Sequence, residues 1–366
     1  MASIAVFVPS LEGGGAERVM VSLANLVAER HHAVTLITAK TIDGAYTSLV
    51  SKSVRIHALR TGTMWRTVRP LAQYLTQEQP DALIATLAEA NMVALLARRL
   101  ARVPSRTVIR EANTPTLAFL RSPKIKKRIT GKLIPKIYPF ADAIVAVSTG
   151  VLDDLRRLLP SAQDKISLIY NPVLTPDLST LAQEPLSHPW FQPKERAIVL
   201  AAGRLTHEKD HSTLVQAFAR VRQKIPARLV ILGEGAERAN LLKQAHTLGV
   251  AEDFDLPGFD PNPFKYMARS DVFVLSSRYE GLPNVLIQAM ACGCPVVSTN
   301  CPSGPEDILD GGKYGELVPV GDVEAIASAI ERVLRGERKP VPPEWIATFE
   351  QERVVSQYLK VLIPNA

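Results

Sequence analysis

Cysteine is scarce in this chain: three in 366 residues, Cys292, Cys294 and Cys301, an odd number in one apolar stretch with no histidine beside them. A disulfide framework is thereby excluded, burial in a core fits better than metal ligation, and a reducing compartment is expected. Aromatic residues make up only 6% of the chain, and no RRM, helix-turn-helix, KH or zinc-finger pattern accompanies them, so nucleic acid is not an expected partner. Long apolar runs are missing as well. The longest uncharged stretch, between Glu280 and Glu306, exceeds the ~20 residues of a membrane span, but Pro283, Pro295, Pro302 and Pro305 keep it from being one helix. The opening segment MASIAVFVPSLEGGG has neither the basic region nor the apolar run of a signal peptide. The expectation is a soluble cytoplasmic protein.

What the chain does have is core-forming material, 46% hydrophobic residues over a length that implies two domains or one large one. Its net charge of +7 is unevenly divided: residues 1–175 hold 23 Lys+Arg against 12 Asp+Glu, a balance of +11, which leaves −4 for the remainder. A basic half suggests an anionic partner.

Short β-branched runs alternate with segments of helical period. Ser3–Val8, Ala33–Thr38, Ala82–Thr86, Arg106–Arg110, Ala143–Val147 and Ile166–Ile169 read as strands, with helices at Gly15–Arg30, Glu89–Arg102 and Gly150–Leu159. Periodicity lapses over the proline-rich residues 171–196 and then restarts with strands near Ala197–Ala202, Arg228–Leu232, Asp253–Leu256, Asp271–Leu275 and Pro295–Thr299. The pattern predicts an α/β protein of two Rossmann-like domains in tandem, residues 1–170 and 197–342, joined by a linker over 171–196 and flanking an interdomain cleft. A final helical pattern covers 343–366.

Three constellations could carry chemistry. Leu11-Glu12-Gly13-Gly14-Gly15-Ala16-Glu17-Arg18 follows the first strand and opens the first helix, a place where backbone can approach an anion, although a tight turn explains it equally. Gly203-Arg204-Leu205-Thr206-His207-Glu208-Lys209 follows the first strand of the second half, where Arg204 and Lys209 could grip a diphosphate. The same string contains HExxH in His207-Glu208-Lys209-Asp210-His211. A zinc site needs both imidazoles on one helix face; here Asp210 or Ser212 is the expected N-cap and His207 falls outside, so no metal is expected. The most specific constellation is Glu280-Gly281-Leu282-Pro283-Asn284 with Gln288 further on, an acidic residue at a strand end followed by a turn whose free amides open a helix.

That last segment resembles the Glu-x7-Glu signature of retaining glycosyltransferases of family four, which have the two-Rossmann GT-B fold. The resemblance extends over nearly the whole chain, through the GGGAER loop, Val147-Ser148, Tyr170-Asn171-Pro172, Arg204 and Lys209, Leu232-Gly233-Glu234-Gly235, Pro257-Gly258-Phe259 and Cys301-Pro302-Ser303-Gly304-Pro305. The most similar subgroup is bacterial enzymes that extend lipid-linked or surface glycans, N-acetylgalactosaminyltransferases among them. The resemblance implies a hexose or N-acetylhexosamine moved from a nucleotide sugar, UDP-linked by preference, with retention and without metal or other cofactor. It implies that Arg204 and Lys209 bind the donor diphosphate and that Glu280 contacts the donor sugar. Gly203, Gly281, Leu282, Pro283 and Asn284 would line the phosphates, Gly258 would receive the base, and Gly14 and Gly15 would close the cleft from the other domain. The last helix would pack back on the first domain. Gln288 stands where relatives have the second Glu, which holds the ribose, and a neutral hydrogen bond contributes less than a charged one, so nucleotide affinity is expected to be weaker. Glu111 and Asn113 are the acceptor-side candidates. A sugar-nucleotide epimerase and a non-catalytic anion-binding protein at the membrane are the alternative readings.

The basic segment from Arg121 to Lys136, with Lys124, Lys126, Lys127, Arg128, Lys132 and Lys136, holds no acid. Ile125, Ile129 and Leu133 recur at i+4, and Gly131 and Pro135 limit the expected helix to little over two turns. A solvated charge run is one explanation. A peripheral element on the anionic inner face of the cell membrane, where a lipid-linked acceptor resides, is the sharper one.

Overall fold

The computed structural model describes residues 1–120, 124–193 and 195–364, so Arg121 of the basic segment and the last two residues of the 343–366 pattern lie outside the described residues. The chain divides into two compact units, one of residues 1–172 with 349–366 and one of residues 173–348.

The first unit is a seven-stranded, wholly parallel sheet of β1 (Ser3–Val8), β2 (Ala33–Thr38), β3 (Val54–Ala58), β4 (Ala82–Thr86), β5 (Arg106–Glu111), β6 (Ala143–Ala146) and β7 (Ile166–Leu168), in the order β3-β2-β1-β4-β5-β6-β7. Its strand order reverses between β1 and β4, the switch point at which such sheets bind ligands. Every residue of β4 is buried, as a strand covered on both faces requires. The Gly15–Glu29 helix turns Met20, Leu23, Ala24 and Val27 onto one face of the sheet at helical spacing. The last helix, Gln351–Leu362, adds Val354, Val355, Tyr358 and Leu362 to the same core, and Arg106 Nε donates to Val361 O at 2.7 Å. Each fully buried Val, Leu or Met among them stabilises the fold by ~1.5–3 kcal/mol.

The second unit has a six-stranded parallel sheet of β8 (Ala197–Ala202), β9 (Ala227–Leu232), β10 (Phe254–Gly258), β11 (Val272–Leu275), β12 (Val296–Thr299) and β13 (Glu316–Val318), ordered β10-β9-β8-β11-β12-β13. It reverses between β8 and β11 in the same way. Leu214 and Phe218 of the His211–Arg222 helix and Ile326 and Ile330 of the Val323–Leu334 helix fill one face.

Of residues 171–196, read as linker from their prolines, the described residues from Val173 onward are packed into the second unit. Leu178–Gln183 is a helix lying on Phe264–Met267, with Asn262 Nδ2 donating to Leu181 O at 2.8 Å and Arg269 Nη1 to Ala182 O at 2.9 Å. Leu186 and Phe191 are buried, and His188, given no role from sequence, bonds Asp255 Oδ2 at 2.9 Å. Prolines here break periodicity without breaking packing. The 343–366 pattern is likewise two pieces: Pro343–Ile346 belongs to the second unit, and the first unit resumes at Phe349. The basic helix runs from Ile125 to Ile137, longer than expected, with Pro135 in its last turn. A proline there has no N–H to donate to the carbonyl four residues back, and its ring crowds that carbonyl. No helix among the described residues is long and apolar enough to cross a membrane.

Candidate functional site

In the second unit, the loops that leave β8, β9, β10 and β11 are bonded to one another at the carboxyl edge of the sheet. The Gly203 N–H donates to Leu232 O at 2.9 Å, Leu205 N–H to Glu234 O at 2.9 Å, and Gly233 N–H to Gly258 O at 2.8 Å. This stitching needs glycine at 233: its φ is +141°, and a Cβ there would stand 2.0 Å from Gly203 O. The β8 and β11 loops are joined by Arg278 N–H to Glu208 O and Ser276 Oγ to Lys209 O, both 2.8 Å.

Lys209 and Glu280, 71 residues apart in sequence, meet in that frame. Lys209 Nζ donates to Glu280 Oε1 at 2.6 Å, and Ser277 Oγ donates to the same oxygen at 2.6 Å. The side chains are 21% and 12% exposed, open enough to meet a ligand. Ser277 was not singled out from sequence; its place beside Glu280 at the end of β11 was the available signal. Its carbonyl accepts from Thr299 Oγ1 at 2.6 Å, which ties the site to β12. Arg204 is exposed on the same β8 loop, near Glu208 and Tyr279. Glu208 is held below the ordinary carboxylate value by its own backbone N–H, with help from Thr206, the Tyr279 hydroxyl and Arg204.

The helix after Glu280 spans Asn284–Ala291, with Pro283 at its N-cap position. Gly281, Leu282 and Pro283 are buried, and Asn284 and Gln288 share a half-exposed helix face. Among the described residues the backbone N–H groups of Gly281 and Leu282 have no acceptor. Free N–H groups at a helix entrance suit an anion. Gly258 ends β10, its carbonyl engaged by Gly233.

The HExxH string is divided by the backbone. His207–Lys209 is a short 3-10 turn, Asp210 takes a left-handed φ of 49°, and the next helix begins at His211. The two imidazoles therefore do not share a helix face. Burial, with Lys209's charge adding to it, pushes His211 down to about 3, so it stays neutral beside the lysine. Burial also pushes the Cys292 and Cys301 thiols up to about 12, far from reactive thiolates.

In the first unit, Gly14 precedes the Gly15–Glu29 helix at φ +148°, donates its N–H to Tyr46 Oη at 3.2 Å, and lies so close beneath Glu17 that a Cβ would stand 2.3 Å from that carboxylate. Asn113 is half-buried, but Glu111 is 1% exposed at the end of β5 and accepts from Tyr138 Oη at 2.5 Å. Next to it Arg110, also 1% exposed, donates to Thr86 Oγ1 at 2.9 Å and Asn171 Oδ1 at 2.5 Å. This polar core, with Asn91, was not found from sequence, although polar residues ending an otherwise apolar strand were a usable signal.

Lys124, Lys126, Lys127, Arg128, Lys132 and Lys136 are all exposed. The sequence placed the helix's apolar side at Ile125, Ile129 and Leu133; the side that packs inward is Thr130, Gly131, Ile134 and Ile137. Ile125 and Ile129 are instead 74% and 57% exposed, among the lysines.

Residues 183–345 match the family model for glycosyl transferases group 1, and residues 13–175 the model for glycosyltransferase family 4. The N-acetylgalactosamine-N,N'-diacetylbacillosaminyl-diphospho-undecaprenol 4-alpha-N-acetylgalactosaminyltransferase of Campylobacter jejuni is 30% identical to the chain, over 99% of it and 100% of that relative. The lipopolysaccharide core biosynthesis glycosyltransferase LpsE of Rhizobium meliloti is 29% identical, over 95% of the chain and 96% of its own length. Among solved structures, HepE of Anabaena in complex with UDP-glucose is similar in fold, with a TM-score of 0.73 and 20% identity, covering 100% of this chain and 97% of that one.

Proposed function

The chain belongs to the glycosyltransferases of group 1 and family 4, with the GT-B fold, and from that premise we propose that it transfers a hexose or N-acetylhexosamine from a UDP-sugar, with retention, to a lipid-linked glycan at the membrane surface. The observation that carries this reading is the convergence of Lys209, Glu280 and the unpaired N–H groups of Gly281 and Leu282 at the carboxyl edge of one sheet. Support for the donor comes from HepE, whose structure holds UDP-glucose, and support for the acceptor class from the undecaprenol-linked substrate in the Campylobacter relative's name.

In this reading the amides of Gly281 and Leu282 receive the diphosphate, and Arg204 and Lys209 stabilise the charge that grows on it as the sugar's bond breaks. An ammonium has three donors, so Lys209 can keep Glu280 while reaching a phosphate oxygen. Glu280, fixed by Ser277 and Lys209, orients the sugar. The acceptor hydroxyl attacks from the face the diphosphate leaves, and the departing phosphate takes its proton. The two cations supply the electrostatic work, so the proposal includes no metal. Gln288 bonds the ribose as a neutral amide.

A thermal-shift panel of nucleoside diphosphates tests the donor assignment. UDP at a hundred times its Kd should stabilise the wild type by ~2.7 kcal/mol, and less in Arg204→Ala at the same concentration. Gln288→Glu should tighten UDP binding up to about tenfold, by turning a neutral hydrogen bond into a charged one. Absence of stabilisation by every nucleoside diphosphate would overturn the reading.

The membrane assignment rests on Ile125 and Ile129, exposed within a ring of six cations. Apolar side chains so placed insert between headgroups while lysines bind anionic lipid. Co-sedimentation with phosphatidylglycerol-containing vesicles is expected, and Ile125→Glu with Ile129→Glu should weaken it at least tenfold. Equal binding to purely zwitterionic vesicles would count against it.

A further inference from the structure

The polar core of the first unit contains a carboxyl group whose named partners are all donors. Glu111 accepts from Tyr138 Oη at 2.5 Å, and the backbone N–H groups of Ala112 and Asn113 beside it favour its ionised form. Tyr138 is itself fixed from behind, because Asn91 Nδ2 donates to its oxygen at 3.2 Å and to Arg110 O at 3.0 Å. With that side occupied, the tyrosine proton points at the carboxyl. The donors by themselves favour a carboxylate, which only accepts; a carboxylic acid would bring a further proton. All three side chains are at most 1% exposed. They come from β5, the Ala88–Ala101 helix and the turn that ends the basic helix, so the carboxyl group links the loop carrying Asn113 to that helix.

We propose that Glu111 is a positioning residue on the acceptor side, a buried carboxylate that holds the Ala112–Asn113 loop against the end of the basic helix and releases it on taking up a proton. The acceptor role of that loop rests on the transferase reading; the clamp itself does not. Burial outweighs the three donors and pushes Glu111 up from 4.5 to about 7. The titratable or charged groups facing it are Tyr138 and Arg110, and burial drives Tyr138 further upward, so the phenol remains protonated. A carboxyl group raised in the folded state contributes stability that is fully present below about 4.5 and lost as pH rises through about 7. The chain thus gives up some stability at pH 8 to keep the loop clamped.

Amide hydrogen exchange on the full chain, corrected for intrinsic rates, tests this. Between pH 8 and pH 6 the ionised fraction of a group titrating near 7 falls roughly tenfold, so protection of peptides covering residues 111–114 should fall by about that factor in the wild type. Glu111→Gln should show low, pH-independent protection. Tyr138→Phe removes a donor that favours the carboxylate and should move the midpoint to higher pH. Equal wild-type protection at the two pH values, or a wild-type response in Glu111→Gln, would overturn the proposal. UDP stabilisation measured on the same proteins separates the outcomes: its absence from the wild type would remove the transferase reading and leave the exchange result to decide the clamp.

Discussion

Lys209→Met should reduce sugar transfer by a factor of about 10³ while leaving the fold intact. The ammonium has two tasks in the proposed reaction, and both fail together. It places positive charge against the leaving diphosphate, and loss of one such preorganised donor costs ~10²–10³ in rate. It also fixes Glu280 through the 2.6 Å bond to Oε1, after which Ser277 is, among the described residues, the remaining hydrogen-bond partner of that carboxylate. The side chains are 21% and 12% exposed, so the loss of the pair costs more than the ~1 kcal/mol of an exposed pair and less than the ~3–5 kcal/mol of a fully buried one. Methionine keeps the length and apolar stem that lies over Gly203. Release of UDP from a UDP-sugar in the presence of a membrane extract, followed beside urea unfolding, measures both halves. A variant that transfers at the wild-type rate would remove Lys209 from the mechanism.

Gly233→Val should be the most damaging single change to stability, a loss of more than about 4 kcal/mol. Two independent faults combine. The backbone stands at φ +141°, which a β-branched residue adopts only with strain, and the new Cβ would lie 2.0 Å from Gly203 O, a backbone atom that cannot rotate away. Relief requires separating the β8 and β9 loops, which carry the bonds from Gly203 to Leu232 and from Leu205 to Glu234. A lower urea midpoint and loss of UDP binding are expected together. Wild-type stability in this variant would mean that the loops are not stitched as described.

How much of this was legible beforehand depends on sequence separation. The Asn284–Ala291 helix was readable because Pro283 and an apolar run specify it locally, and the strands of both sheet centres were readable as β-branched runs. β3 and β13 were missed because neither offers an apolar run: Arg55 and His57 interrupt β3, and β13 is three residues long and opens on Glu316. The Glu111–Tyr138–Asn91 cluster joins residues 27 and 47 positions apart, and Arg110 meets Asn171 across 61; no local period records such pairings. The apolar side of the basic helix was misplaced for a related reason: period alone shows that Ile125 and Ile129 align, and the inward side was decided by Phe119 and Leu120 packing on Gly131.

The division of the first unit into two stretches of chain has a consequence during synthesis. Residues 349–364 leave the ribosome only after all of residues 173–348, which at ~5–20 residues per second takes on the order of ten seconds or more. Through that interval the second unit can fold, while the first sheet exists without the helix that supplies Val354, Tyr358 and Leu362. The newborn protein therefore carries an uncovered apolar face during translation, and it is in that interval that chaperones would most readily engage it.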